Sequence, residues 1–471
     1  MAGKKKNTVW NFFDRMEGDK VVWMIALLLI LVSIVCIFSS TSRLLDAKLG
    51  ETRVDMVRSQ LITVAAGLAV IILCYNIRSI KFFRALSKYG FLVCLLLLVV
   101  LDLHVQIKDG HLLFLKAAVD NPDFGAASVN HAWRVIKCKG LQIHVFEMVK
   151  VAMVLYLAWA MDAYKKKELK SRLQPVWQRI LYIYTPFLLT FLLVLPGSNG
   201  SALLGGGIMF FIILLGGGSL REMAILLAAG AVLLLSCWGI YEISGHKGME
   251  RIGTGISRIF NKTDHEGIFL SDTTSRDRRQ KALDLLRQPY GAKIAVHEGG
   301  LVGKGPGQST QRYLVPDMSE DYMYSFIVEE YGLLGGILVI FLYVSLLARS
   351  SIIVRNCKED RYAKLTVAGL SLLITVQAFL HLFVNADIGP TTGQTLPLIS
   401  HGRSAFLCFS LAFGIILSFS RTAARKMALE QKNAQPIVQA SAGTSPKTPA
   451  AGEEMKNAIY DYDIQETAGN H

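Results

Sequence analysis

The chain has 471 residues, of which 52% are hydrophobic and 18% charged, with a formal net charge of +14 and a mean hydropathy of +0.39. That much apolar side chain excludes a string of soluble domains, and apolar runs of about 18 residues or more, long enough to span a bilayer, recur along it. Alternation in segments of about ten residues, the mark of a transmembrane barrel, is missing, so the fold class expected is an all-α polytopic membrane protein.

In chain order, residues 1–20 open with "MAGKKKN", which looks like the basic start of a signal peptide, but no cleavable signal follows. The run that follows, Val21–Ser40, is about 20 residues long and lacks a small-residue cleavage site, so it reads as a retained first span behind a cytoplasmic N-terminal segment. Further apolar stretches near 57–76, 88–105, 143–162, 180–196, 200–218, 221–241, 324–347, 365–385 and 404–420 bring the total to about ten transmembrane helices within a domain of residues 21–421. Basic residues mark the cytoplasmic connections. They fall in four groups: Arg78–Lys88, Lys165–Arg179, Arg349–Lys364, and Arg421, Arg425 and Lys426 after the last span. With ten spans and both termini inside, all four lie on one side. The positive balance is therefore topology, with membrane lipid rather than nucleic acid as the partner. Five of the seven cysteines fall in spans and Cys357 in a cytoplasmic connection, leaving only Cys138 facing outward, so no disulfide framework is expected.

Two outward segments exceed simple connectors, about 106–140 and about 243–321, the latter a large extracytoplasmic loop between helices 7 and 8. Loops of that size usually carry function. Within the second, Ser275–Arg287 has apolar residues at helical spacing among basic neighbours, and suits either a helix on the membrane surface or a solvated one. Residues 422–471 form a cytoplasmic tail, expected to be disordered from about 430, because "QASAGTSPKTPAAGEE" has too few large apolar residues to build a core.

The chemistry concentrates in "LVPDMSEDYMYSFIVEEYGLLGG" (Leu314–Gly336). Ser319 can cap a helix whose first turn holds Glu320 and Asp321, where the dipole favours carboxylates. That does not account for Glu329 and Glu330. Eight helical residues rise about 12 Å, and a carboxylate near the bilayer centre costs on the order of 2.5–3.5 kcal/mol unless it faces a cavity or partner. Glu147 and Lys150, three apart, share a helix face as a structural ion pair or a functional one. Asp387 precedes a Gly/Pro/Thr-rich stretch that reads as broken or re-entrant backbone. The stretch "HEGGLVGKGPGQSTQR" fails the phosphate-loop spacing because Glu298 stands five residues before Gly303, and it faces outward, where nucleotide is scarce. Its backbone N–H groups, with Lys304 and Arg312, suit an anion such as a lipid-linked diphosphate.

Together, "GGLVGKGPGQSTQRYLVPDMSEDYMYSFIVEEYGLLGG" and "GPTTGQTLPLISHGRSAF", with "AWRVI", "FEMVK" and "PGSNGSALLGGGI", resemble the SEDS family (shape, elongation, division and sporulation proteins) over roughly residues 20–420. The "GKGPGQSTQR" form is closer to the division member of that family than to the elongation member. The resemblance implies a ten-helix peptidoglycan glycosyltransferase that polymerises lipid II in the bacterial inner membrane. Its site would be extracytoplasmic and, for a division member, at the septum. It implies that Asp321, in "SEDY" at the family's "HTDF", is the catalytic acid. It implies substrate-binding roles for Lys304, Gln311, Arg312, Arg134, Glu147, Lys150, Glu329, Glu330, Ser400 and Arg403. Pro397 matches the family's "LPLIS". This chain departs from the family at His144, His401, Arg403, Asn199 and Asp387, and Arg403 would serve either as a diphosphate contact or as a partner for Asp387.

The implied partners are a class B penicillin-binding protein, which is a transpeptidase, and other divisome membrane proteins. In the implied reaction a sugar hydroxyl needs one base, and undecaprenyl diphosphate leaves without a second carboxyl to protonate it. Side-chain cations or a bound divalent metal (Mg or Mn, its ligands not identified) suffice for the leaving group, and no organic cofactor is required. Three alternatives remain, a glycosyltransferase of the family's elongation type, a lipid II flippase or other transporter whose pathway uses Glu147, Lys150, Glu329 and Asp387, and a scaffold that only positions a partner.

Overall fold

The computed structural model describes residues 17–40, 53–108, 111–113, 124–129, 132–138, 141–169, 173–243, 276–315, 318–358, 360–388 and 392–443. Residues 244–275 of the large outward loop, Asp317 and residues 1–16 lie outside the described residues. Each apolar stretch expected to span coincides with a helix. These are α1 (Lys20–Ser40), α2 (Arg53–Asn76), α3 (Ile80–Asp102), α4 (Val145–Lys165), α5 (Pro175–Val194), α6 (Asn199–Leu215), α7 (Leu220–Ile243), α9 (Met323–Asn356), α10 (Arg361–Asn385) and α11 (Arg403–Gly443). The remaining helix, α8 (Arg276–Gly299), contains most of the stretch expected to be amphipathic.

Seven of the helices are long and apolar enough to cross a bilayer: α1, α2, α3, α5, α9, α10 and α11. The chain is a multi-pass membrane protein. α10 and α11 form its centre, with 67% and 78% of their most apolar windows buried, against 22% for α3 and α5. α10 packs on α9, α4 and α6, and α9 packs on α1 and α8. α11 runs on past Ala423, where the chain divides into two compact units. The second unit is helical as far as Gly443, including the first part of the stretch expected to be disordered, and residues 444–471 lie outside the described residues.

The first outward segment is an antiparallel sheet, an addition to the all-helical expectation. Its strands are β1 (Gln106–Lys108), β2 (His111–Leu113), β3 (Phe124–Val129), β4 (Ala132–Cys138) and β5 (Leu141–His144), in the order β2-β1-β3-β4-β5. β4 pairs with β5 so that Val135 opposes His144 and Lys137 opposes Gln142, and β5 passes directly into α4 at Val145. The sheet therefore delivers Arg134 and His144 to the N-terminal end of α4.

α9 is not one continuous helix. At Gly332 the backbone turns to φ 69°, ψ −176°, which interrupts the helical ladder. The Gly-rich loop before α9 fills the break. Lys304 and Gly305 donate N–H groups to the carbonyls of Glu329 and Glu330 (both 2.9 Å), while Leu333 and Leu334 donate to Gly300 and Leu301 (2.9 and 3.3 Å). The two segments cross main chain against main chain. A Cβ on Gly303 would lie 2.3 Å from the Glu330 carbonyl oxygen, and one on Gly332 would lie 2.3 Å from that of Leu301.

Candidate active site

Residues Met318–Tyr322 are turns, and α9 begins only at Met323, with no side-chain cap. Ser319, expected to cap a first turn containing Glu320 and Asp321, instead offers its carbonyl to the His401 N–H (2.9 Å). The two acids are therefore not first-turn dipole residues.

What holds this turn is a ladder of neutral polar side chains on α10. Gln377, His381 and Asn385 are four residues apart, on one face of the helix, and all are buried. The Asn385 amide oxygen accepts from the Ser325 N–H and hydroxyl (both 2.9 Å), and its nitrogen donates to the Asp321 carbonyl (3.1 Å). His381 Nε2 accepts the Tyr324 N–H (3.3 Å) while Nδ1 donates to the Gln394 carbonyl (2.6 Å), the arrangement of a neutral imidazole. Gln377 donates to the Thr395 carbonyl (3.1 Å) and accepts from Lys150 (2.6 Å). Sequence reasoning missed this ladder. Its signal was the four-residue spacing of amides and imidazole in a membrane helix, and it carries no formal charge.

The segment between α10 and α11 has the broken backbone expected from its composition, and several of its backbone groups are held by buried side chains. Ser400 donates to the Glu320 carbonyl (2.7 Å) and accepts from the Leu396 N–H (2.9 Å), so it fastens the Asp321 turn to this segment. Ser33 holds the Ile399 carbonyl at 2.9 Å, and Tyr343 holds that of Pro397. Leu398 adopts φ 59°, a strained conformation for a residue with a side chain. Gly393, at φ +57°, presents bare backbone to Asp321, and a Cβ there would stand 3.4 Å from the carboxylate Oδ2. Asp321 itself is half-buried.

Glu147 and Lys150 pair at 2.8 Å on α4, and Lys150 adds bonds to Gln377 (2.6 Å) and Gln394 (3.0 Å), using all three ammonium donors. Gln394 passes the network to Ser201 of α6 (3.0 Å). Arg134 Nε, Glu147 Oε2, Thr392 Oγ1 and Thr395 Oγ1 are buried without a hydrogen-bond partner. Such atoms are where a polar ligand or water is wanted. Burial and the Arg134 guanidinium hold His144 below its ordinary value, opposed by Glu147.

Lys304, Gln311, Arg312, Glu329 and Glu330 lie together in the joint between the Gly-rich loop and α9, with internal partners. The fully buried Glu329 accepts from Lys304 (2.9 Å), the Thr310 N–H (2.8 Å), the Gln311 N–H (3.2 Å) and the Ser309 hydroxyl. Glu330, also fully buried, accepts from Ser39 of α1 (2.6 Å) and the Gly307 N–H (3.0 Å). Arg312, 8% exposed, donates to the carbonyls of Ser39 (2.8 Å) and Gly307 (2.7 Å). The Lys304 ammonium sits between Glu329 and Glu298. Burial opposes its charge, yet these two carboxylates hold it above the ordinary lysine value. The sequence pointed to Lys304 and Arg312 as loop cations open to a diphosphate, whereas the structure engages both in clasping the loop to α9. Asp387 pairs with Lys293 of α8 rather than standing as a partner for Arg403, which is exposed at the start of α11.

With this geometry in place, comparisons with known proteins agree along the whole bundle. A family model described as cell cycle protein, and named for FtsW, RodA and SpoVE, matches residues 19–425. A Coxiella burnetii protein named probable peptidoglycan glycosyltransferase FtsW is 27% identical over 426 residues, covering 88% of this chain and 98% of its own. The Escherichia coli K12 peptidoglycan glycosyltransferase MrdB is 22% identical over 422 residues, covering 87% and 95%. A solved chain of a peptidoglycan synthase complex, described as coordinating polymerization and crosslinking, superposes with a TM-score of 0.59 at 19% identity, over 86% of this chain and 98% of that one. This chain belongs to the cell cycle protein family of FtsW, RodA and SpoVE, the SEDS family.

Proposed function

We propose that this chain is a peptidoglycan glycosyltransferase that joins lipid II units, with Asp321 as general base. The supporting observation is the position of that carboxylate. It lies at the outer end of α9, half-buried and against the bare backbone of Gly393, while the Asp321, Glu320 and Ser319 carbonyls are fixed by Asn385, Ser400 and His401. A base must be held still, because proton transfer needs hydrogen-bond reach to the reacting hydroxyl. The Asp321 carboxylate takes the proton of one sugar's 4-hydroxyl, whose oxygen bonds to the anomeric carbon of the second unit. The bond from that carbon to the diphosphate oxygen breaks, and its electron pair leaves with undecaprenyl diphosphate. Arg134 and Arg403 are the cations assigned to the leaving group in place of Lys304 and Arg312. Among the described residues no three His, Cys, Asp or Glu side chains converge. A Mg or Mn ion, if bound with the substrate through the Asp321 carboxylate, would neutralise diphosphate charge.

We assign it to cell division at the septum, a reading supported by the relatives named FtsW, with an elongation role like that of the MrdB relative as the second reading. On the charge distribution of the sequence the site is extracytoplasmic and both termini are cytoplasmic. The likeness to a synthase complex supports a class B penicillin-binding protein as partner. The carbonyl-clasping network around Asp321 favours an enzyme over a flippase, since Glu147, Lys150 and Glu329 are engaged in fixed internal bonds rather than along a path. Purified protein in detergent with lipid II should yield glycan chains, and Asp321→Asn should abolish them with the thermal midpoint unchanged. Wild-type polymerisation by the folded variant overturns the assignment. Adding the transpeptidase partner should raise the rate, and equal rates with and without it count against that pairing.

A further inference from the structure

At the end of the bundle opposite Asp321, the ends of α4, α5, α6 and α10 and the start of α7 line a cavity of about 100 Å³. α10 connects the two ends, and its 25 residues place them about 37 Å apart. The lining brings three cations, Lys165, Arg179 and Arg361, together with one carboxylate, Glu222. That carboxylate is fully engaged, by Arg179, by the Tyr184 hydroxyl (2.7 Å) and by the Ser219 N–H (3.3 Å). Arg361 donates from Nη2 to the Gly216 carbonyl, while its Nε is buried with no acceptor. Among the described residues neither Arg361 nor Lys165 has a carboxylate in ion-pair reach.

Two features show that this wall is built rather than incidental. Residues Ile180–Tyr184 form a π turn, a rare geometry frequent at functional sites, and it contributes Ile183 and Tyr184 to the lining. Gly217 stands at φ +81°, and a Cβ there would press within 3.3 Å of Arg361 Nη2. Beside the cavity, α5 exposes Val176 (57%), Trp177 (58%) and Leu181 (49%), an apolar face with an interfacial tryptophan.

We infer that this cavity binds a phosphate-bearing anion through Lys165 and Arg361, and that the exposed α5 face favours a phospholipid headgroup as its source. An anion there supplies the acceptor that Arg361 Nε lacks and offsets the surplus positive charge. Basic pockets between membrane helices suit such headgroups. On the topology proposed above, the site faces the inner leaflet, apart from the glycosyl-transfer site.

The test uses the full chain in detergent, with native mass spectrometry and thermal unfolding in the presence of phosphatidylglycerol, phosphatidylcholine or inorganic phosphate. Phosphatidylglycerol should be retained and should raise the midpoint, and Lys165→Gln and Arg361→Gln should each weaken its binding by about tenfold. Lys165 is exposed, so its variant keeps the test open if the Arg361 variant fails to fold. Saturable binding of inorganic phosphate that Lys165→Gln abolishes supports the same site with a soluble source. Lys167→Gln, a neighbouring exposed cation outside the lining, should leave binding unchanged. The inference is overturned if Lys165→Gln binds like wild type, if Lys167→Gln weakens binding equally, or if phosphatidylcholine binds as well as phosphatidylglycerol.

Discussion

Asp321 sits against main chain rather than side chain at Gly393, so the space around its carboxylate is set by a backbone that α10 holds from behind. Adding a single methyl there tests this. Gly393→Ala combines a left-handed backbone, worth about 1 kcal/mol or slightly more of strain, with a methyl 3.4 Å from Oδ2. Glycan synthesis should fall at least about tenfold, a barrier change of about 1.4 kcal/mol, with only a small drop in thermal midpoint. His144 gives a pH dependence. Its folded-state value is depressed by burial and Arg134, so as pH falls through about 6.5 the unfolded chain binds a proton that the folded chain refuses. The contribution is present above that pH and lost below it. Melts at pH 7.5 and 5.5 should show a decline that His144→Gln reduces. At this scale the sequence was legible where charge and spacing together marked a contact, as with the Glu147–Lys150 pair. Gln377, His381 and Asn385 escaped because a buried amide or neutral imidazole has no net charge to explain, although each fixes a carbonyl or N–H beside the site.

Helices announced themselves by apolar length, and each expected span has its helix. The five strands did not, since they are three to seven residues long and their pairing is settled only by neighbours. The break in α9 was equally hidden. A glycine inside "EEYGLLGG" costs a helix about 1 kcal/mol relative to alanine, which is no signal of interruption until the crossing loop is known. Because the two segments touch through backbone, Gly332→Ala or Gly303→Ala should lower unfolding stability by about 3 kcal/mol or more and open the loop to limited proteolysis. Glu329→Ala should act similarly, by leaving the Thr310 and Gln311 N–H groups and the Lys304 ammonium without their buried acceptor.

The proposed sidedness of the whole molecule is open to direct labelling. Cys36, Cys74, Cys94, Cys357 and Cys408 are all buried, so with Cys138 and Cys237 replaced by serine, introduced cysteines should report over a low background. Val302→Cys, at a position 73% exposed near the Asp321 end, should react with an impermeant maleimide from outside intact cells. Lys167→Cys should react only after permeabilisation, and the reverse pattern would invert the topology. The crossing at Gly303 and Gly332 bears on how such a chain takes up its orientation. Residues 299–305 are synthesised before residues 328–334, so they form a waiting socket into which the outer third of the later helix is seated. Were that helix to insert the other way up, the socket's amide hydrogens would face no carbonyls. Correct polarity is thus written in peptide groups as well as in flanking lysines and arginines.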